Sequence, residues 1–219
     1  QRPASSMRDD EEQLGFFSSL LGEHDDDTHS PVTWASRSEA LRAKPFDSAT
    51  GLRMFDELWG KDSHTVALEA RDLDRLSHYL RFYTLPAKVE VIGQDEQGDY
   101  MLIVLDGTMA VDRVQPWGGR ARLADARAGD MLGEMSLIDG GTRFSACSTL
   151  TPCTVAVLDA PSLDQMTRQD PRLALALLAS LSRRLSLRLR QVSARRPNAK
   201  KKAPDAPMPA PSVGVKMPP

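Results

Sequence analysis

Between residues 81 and 159 the chain reads as a succession of short β-rich runs separated by tight turns, and that rhythm leaves few folds open. The runs are Phe82 to Thr84, Val89 to Ile92, Tyr100 to Leu105, Thr108 to Val114, Arg120 to Ala126, Ser145 to Leu150 and Thr154 to Leu158. Asp106-Gly107 and Trp117-Gly118-Gly119 fall between them, where a hairpin needs residues that tolerate positive φ. Strands at such regular short intervals predict an antiparallel barrel or jelly roll.

One interval departs from the hairpin pattern. From Gly129 to Ala146 a carboxylate, Glu134, and a guanidinium, Arg143, flank the apolar run Met135, Leu137, Ile138 and the flexible pair Gly140-Gly141. A short helical turn starting near Gly133 would aim backbone N–H groups without internal partners at a bound anion. Arg143 would supply a permanent forked charge for a phosphate, and Glu134 an acceptor for sugar hydroxyls. Read on its own, the same stretch also suits a glycine-punctuated turn with a surface ion pair.

Gly133, Glu134, Leu137, Arg143 and Ala146 resemble the phosphate-binding cassette of the cyclic-nucleotide-binding domain family, which includes the catabolite activator protein and the regulatory subunits of protein kinase A. Leu132 stands where the family has an aromatic, Thr142 where it has proline, and Phe144 where it has a small or hydroxyl residue. The resemblance spans about Leu68 to Val192 and implies an antiparallel eight-stranded β-roll, mainly β with N-terminal helices and a long C-terminal helix. Gly98, Gly107, Gly129 and Gly133 resemble the family's turn glycines in order and spacing. Carried over, Arg143 would neutralise a cyclic phosphate, Glu134 would bind the ribose hydroxyl, and backbone N–H groups near Gly133 and Phe144 would complete the cradle. The implied site is Gly133, Glu134, Met135, Ser136, Arg143, Phe144 and Ser145, with Arg188 of the last helix placed to stack on a purine or donate to guanine O6. Cyclic AMP is the implied ligand, with cyclic GMP open. Phe144 either fills the phosphate end or turns outward and contributes only its N–H.

Helical spacing precedes the strands. Leu41 marks a first piece, Leu52, Phe55, Leu58 and Trp59 a second, and Leu68, Leu73, Leu76 and Leu80 a third, together a lead-in over 38–80. After the strands, Asp170-Pro171 supplies a cap and a first-turn proline. Leu175, Leu178, Leu181, Leu185 and Leu189 then recur at helical spacing to about Val192. Leu173, Leu177 and Leu187 widen the apolar surface, so this helix either folds onto its own domain or pairs two copies as a homodimer. The roll with its last helix is expected over 81–192.

The ends differ from this middle. The net charge is only −2, but Asp9 to Asp27 is acidic and Arg195 to Lys202 basic. Residues 1–37 and the Pro/Ala-rich 193–219 read as disordered tails, with the latter standing where a family transcription factor would carry its helix-turn-helix. Gln13 to Leu21 interrupts the first tail with Leu14, Phe17 and Leu21 at helical spacing, as a docking peptide or a patch packed on its own domain. Asp25, Asp26, Asp27 and His29 fit a solvated acidic run better than a metal site. DNA contact by Lys200, Lys201 and Lys202 would be nonspecific.

Cys147 and Cys153 are too few for a disulfide framework. No apolar run is long enough to span a membrane and no signal-peptide layout opens the chain, which points by default to the cytoplasm. The chain contains neither a nucleophile–base constellation nor a phosphate-binding Walker loop or metal-ligand spacing, so an enzyme is not expected. Two functions follow: a cyclic-nucleotide sensor acting through an unknown protein effector, or a ligand-free roll used for docking or dimerisation.

Overall fold

The computed structural model describes residues 15–21, 30–63 and 68–194. The acidic run at Asp25 to Asp27, His29, His64 and the basic tail from Arg195 lie outside these residues. The chain divides into a large unit ending at Arg184 and a second from Leu185 onward.

Helix α1 is Phe16–Leu20, within the stretch read from sequence as tail, and α2 is Trp34–Ala40, which begins in that stretch and runs into the lead-in. The Thr33 side chain caps α2 by accepting from Ser36 N–H at 3.2 Å, which satisfies one of the four N–H groups a helix start leaves open. After the two-residue strand β1 (Lys44–Pro45), Asp47 caps α3 (Ser48–Phe55) through Thr50 N–H at 2.9 Å. The helix then widens into a π-turn over Asp56–Gly60. Helix α4 (Ala70–Leu76) opens with a reciprocal capping box between Glu69 and Asp72.

The strands follow as β2 (Arg81–Leu85), β3 (Glu90–Ile92), β4 (Tyr100–Asp106), β5 (Met109–Val114), β6 (Arg120–Ala126) and β7 (Met131–Leu132). Helix α5 (Glu134–Asp139) separates them from β8 (Ala146–Thr149) and β9 (Cys153–Asp159). Two antiparallel sheets result, ordered β1-β2-β9-β4-β7 and β3-β8-β5-β6. The seven runs expected from sequence are all present; β1 and β7, two residues each, carry too little pattern to be read in advance.

The facing sides of the sheets enclose the core. Leu102, Val104, Val155 and Val157 alternate into it with Met109, Leu132, Val91 and Cys147, as period-two geometry requires. The other face of β4 and β9 is buried too, because α3 packs across β2, β4 and β9. That is why these two strands read as continuous apolar runs rather than alternating ones. Trp34 on α2 enters the same core at 1% exposure and meets the rings of Tyr83 and Tyr100 edge-on, both at 5.2 Å.

Where sequence suggests one closing helix there are two. Helix α6 (Ala160–Gln169) is capped by Asp159 accepting from Ser162 N–H at 2.9 Å and carries Pro161 in its first turn. Helix α7 (Pro171–Ala194) follows after Asp170. Asp170 is held by Tyr79 and Arg75, so the joint between the two helices is tied to the chain entering the roll. Leu173, Ala174, Leu177 and Leu181 are the buried side of α7, and Leu175 is its exposed counterpart.

Candidate functional site

The cassette grows out of β7, which ends at Leu132. Gly133 then takes φ +77°, a conformation L side chains rarely adopt, and α5 starts at Glu134. Gly140 ends α5 at φ +70°, the left-handed closure usual for glycine after a helix. The expected helical turn starting near Gly133 is therefore present. Glu134 and Ser136 are buried, each 2% exposed, whereas Met135 faces outward.

Arg143 is the centre of the site. It is 1% exposed, and its guanidinium donates through Nη1 to Gly133 O at 2.7 Å and through Nη2 to Tyr100 O at 2.6 Å. The Tyr100 ring lies beneath it, 4.7 Å from centroid to Cζ. Its backbone is pinned as well: Arg143 N donates to Glu96 O and Arg143 O accepts from Asp95 N, both at 2.8 Å. Among the described residues no carboxylate makes a salt bridge to Arg143, and its Nε is buried with no hydrogen-bond partner. Burial lowers the pKa of the guanidinium from its ordinary value, with Tyr100, Glu96 and Asp99 acting against the shift at longer range.

Gly98 and Gly133 make the room for this side chain. A Cβ built on Gly98 would fall 2.5 Å from Arg143 Nη2, and one on Gly133 would fall 2.6 Å from Nη1. Gly107, Gly129 and Gly133 have the positive φ expected of turn glycines, but Gly98 does not. Its role is clearance. Next to it, Asp99 accepts from Trp34 N–H at 3.3 Å, and its carboxyl is raised to about 6 by burial, reinforced by Asp159.

Phe144 and Ser145 form a bend, and β8 begins at Ala146 rather than at Ser145. Strand alternation therefore does not set their directions. Phe144 is 56% exposed, with the Arg113 guanidinium 4.1 Å above its ring and Arg113 Nη1 donating to Phe144 O. Of the two orientations left open by sequence, the structure has the outward one. Arg188 is exposed on α7 and belongs to the second unit.

Two features around the cassette escaped the sequence reading. The buried carboxylate of Asp164 on α6 accepts from Phe17 N at 2.8 Å, Ser18 N at 2.9 Å and Ser18 Oγ at 2.6 Å, clasping α1. Helix α1 also touches α5, and Gly140 passes so close that a Cβ there would lie 2.6 Å from Leu20 O. The apolar patch of Gln13 to Leu21, so far as it is described from Gly15 on, is packed on its own domain. On another side Gly129 O accepts from Trp59 Nε1 at 3.0 Å and from Arg184 Nη1 at 3.4 Å. Arg184 stacks on the Trp59 ring at 3.9 Å and pairs with Asp62 at 2.6 Å. Thus α7 is fastened to the residue from which the cassette departs.

Comparison with known proteins agrees with this geometry. The family model described as "Cyclic nucleotide-binding domain" matches residues 84–170. A CRP-like cAMP-activated global transcriptional regulator of Mycobacterium tuberculosis is 28% identical over 130 residues, 59% of this chain and 58% of that protein. The cAMP-activated global transcriptional regulator CRP of Haemophilus influenzae is 30% identical over 122 residues, 55% and 54% of the two chains. The chain thus matches little more than half the length of these relatives. A crystal structure of a cyclic nucleotide-binding domain from Methylobacillus flagellatus superposes with a TM-score of 0.66 at 27% identity, covering 70% of this chain and 86% of the other. The N-terminal domain of a Streptomyces coelicolor transcriptional regulator shares the fold, with a TM-score of 0.53 at 23% identity over 66% of this chain and 99% of its own length. Among the described residues no helix is long and apolar enough to cross a membrane, and no cluster of His, Cys, Asp and Glu is arranged to hold a metal ion. With its two-sheet roll, glycine-opened α5 and buried Arg143, the chain carries over residues 84–170 a match to the cyclic nucleotide-binding domain family.

Proposed function

We propose that this chain is a regulatory module that binds a cyclic nucleotide, cyclic AMP in preference to cyclic GMP, and passes the binding event to a protein partner. The observation that carries the reading is the state of Arg143. Its guanidinium is buried, two of its N–H groups are taken by neutral carbonyls, and Nε has no partner. Burying a cation without a counter-charge costs several kcal/mol, and a ligand phosphate supplies that charge. Glu134, buried at the start of α5, would accept from the ribose hydroxyls, and the outward turn of the Phe144 ring is compatible with use of its backbone N–H. The names of the relatives, cAMP-activated regulators, support the choice of nucleotide.

A nucleotide biases a regulator only through different affinities for two states. The tie from Gly129 to Arg184 gives cassette movement a route into α7, and exposed Leu175 on that helix is a candidate contact for a second copy or an effector. Isothermal calorimetry with cyclic AMP and cyclic GMP tests the reading. Saturable binding abolished by Arg143→Ala supports it; no heat with either nucleotide refutes it in favour of a ligand-free docking module.

A further inference from the structure

We propose that Arg113 is a positioning residue of this pocket, holding the Phe144 ring off its phosphate end; the inference rests on the function proposed above. Phe144 immediately follows the buried Arg143, yet it occupies a bend, so no strand geometry dictates where its ring goes. A large apolar side chain left 56% exposed gains little from solvent and would bury more surface by turning inward. The structure places one group in its way. Arg113 on β5 holds Phe144 at two points, Nη1 on the carbonyl oxygen and the guanidinium face on the ring, 4.1 Å from its centroid.

The surroundings leave Arg113 available for this. Its neighbours Arg120 and Arg122 pair with Asp112, and Arg122 also with Asp125, whereas Arg113 makes no salt bridge to a described carboxylate. The register brings it to the right place, because Asp112 lies opposite Ala146, where the chain leaves the bend for β8. A planar guanidinium can meet a carbonyl and a ring face together; a lysine ammonium offers no such fork.

The consequence for affinity is a population effect. If the ring blocks the phosphate end for nine tenths of the time, the apparent affinity falls about tenfold. Calorimetric titration of the full chain with cyclic AMP tests this in a cycle of Arg113→Ala, Arg113→Lys, Phe144→Ala and the double variant Arg113→Ala/Phe144→Ala. Both Arg113 substitutions are expected to weaken binding by about tenfold or more. In the Phe144→Ala background, removing Arg113 should change affinity less than about twofold, since no ring remains to be held. Equal loss in both backgrounds overturns the proposal, because Arg113 would then act by its charge alone, and so does unchanged binding by Arg113→Ala. If wild type takes up neither nucleotide, the functional reading fails, and the hold itself is read without ligand. Fluorine NMR of 4-fluorophenylalanine at position 144 should show its resonance shifted by Arg113→Ala, and an unmoved resonance refutes the hold.

Discussion

Replacing Gly98 by alanine perturbs the site without altering any residue of the cassette. The new Cβ would lie 2.5 Å from Arg143 Nη2, 2.8 Å from Nε and 2.9 Å from Cζ, distances that non-bonded atoms do not tolerate. Gly98 does not have a positive φ, so the penalty is steric rather than conformational. Arg143 has nowhere to retreat, being 1% exposed and tied to Tyr100 O and Gly133 O. Either a charge-assisted hydrogen bond breaks, at about 1.5–3 kcal/mol, or the backbone shifts, at a typical overpacking cost of about 1–3 kcal/mol. A loss of about 2 kcal/mol is expected, which for a protein of this size lowers Tm by roughly 4–8 °C. Urea and thermal unfolding measure the stability, and calorimetry should show cyclic AMP affinity reduced by about tenfold or more, since a charge displaced by an ångström no longer meets the phosphate. The decisive comparison is the same substitution in an Arg143→Ala background, where no guanidinium remains to collide and the cost should fall below about 0.5 kcal/mol. An equal cost in both backgrounds, or none in wild type, would refute the account of Gly98 as clearance for Arg143.

Asp99 gives a pH test. Its folded carboxyl, raised to about 6, lies above its unfolded value of 3.8, so the folded state holds the extra proton and stability falls as pH rises through that window. Asp99→Asn, which keeps an acceptor for Trp34 N–H, should gain on wild type between pH 4 and 6, by on the order of 2–3 kcal/mol, and hold that advantage to pH 8; urea midpoints across this range check it. Asp164→Ala strips three donors of their acceptor, but α1 can let go by itself, so global stability should fall by no more than about 1–2 kcal/mol while amide exchange at Phe17 and Ser18 accelerates by about tenfold or more. Arg184→Ala removes the Asp62 pair and the Trp59 stack and should cost about 1–2 kcal/mol, with a shift in tryptophan emission as the ring of Trp59 becomes accessible.

Sequence periodicity was enough to find β4, β5, β6 and β9, because each carries its own pattern over several residues. It also located α5, since Gly133 and Gly140 punctuate it and Glu134 opens it. It does not single out α6, although Asp159, Pro161, Leu163 and Met166 are sound helix signals, because α6 is short and the Asp170-Pro171 start that follows it opens a much longer apolar repeat. The places of Trp34, Gly98 and Asp164 were not legible at all. Trp34 is set in a polar stretch, and only β2 and β4, more than forty residues on, tell it that it is core. Gly98 looks like any turn glycine until Arg143 lies against it. The Phe144 ring direction depends on Arg113, from a strand that sequence places thirty residues earlier.

The burial of Trp34 has a consequence for what counts as the unit of this domain. The span that matches the family model, 84–170, excludes Trp34, Phe55, Trp59, Leu76, Tyr79, Leu80 and Phe82, every one of them at most 3% exposed. Aromatic side chains of this kind bury roughly 150–250 Å² each, and at about 25 cal/mol per Å² the omitted set is worth well over ~10 kcal/mol, as much as the whole net stability of a typical domain. A fragment cut to the recognisable span would retain the cassette's letters but lack the material to fold them. Inheritance of such a module by another protein must therefore carry its preface along, and the preface is the part in which resemblance is hardest to see.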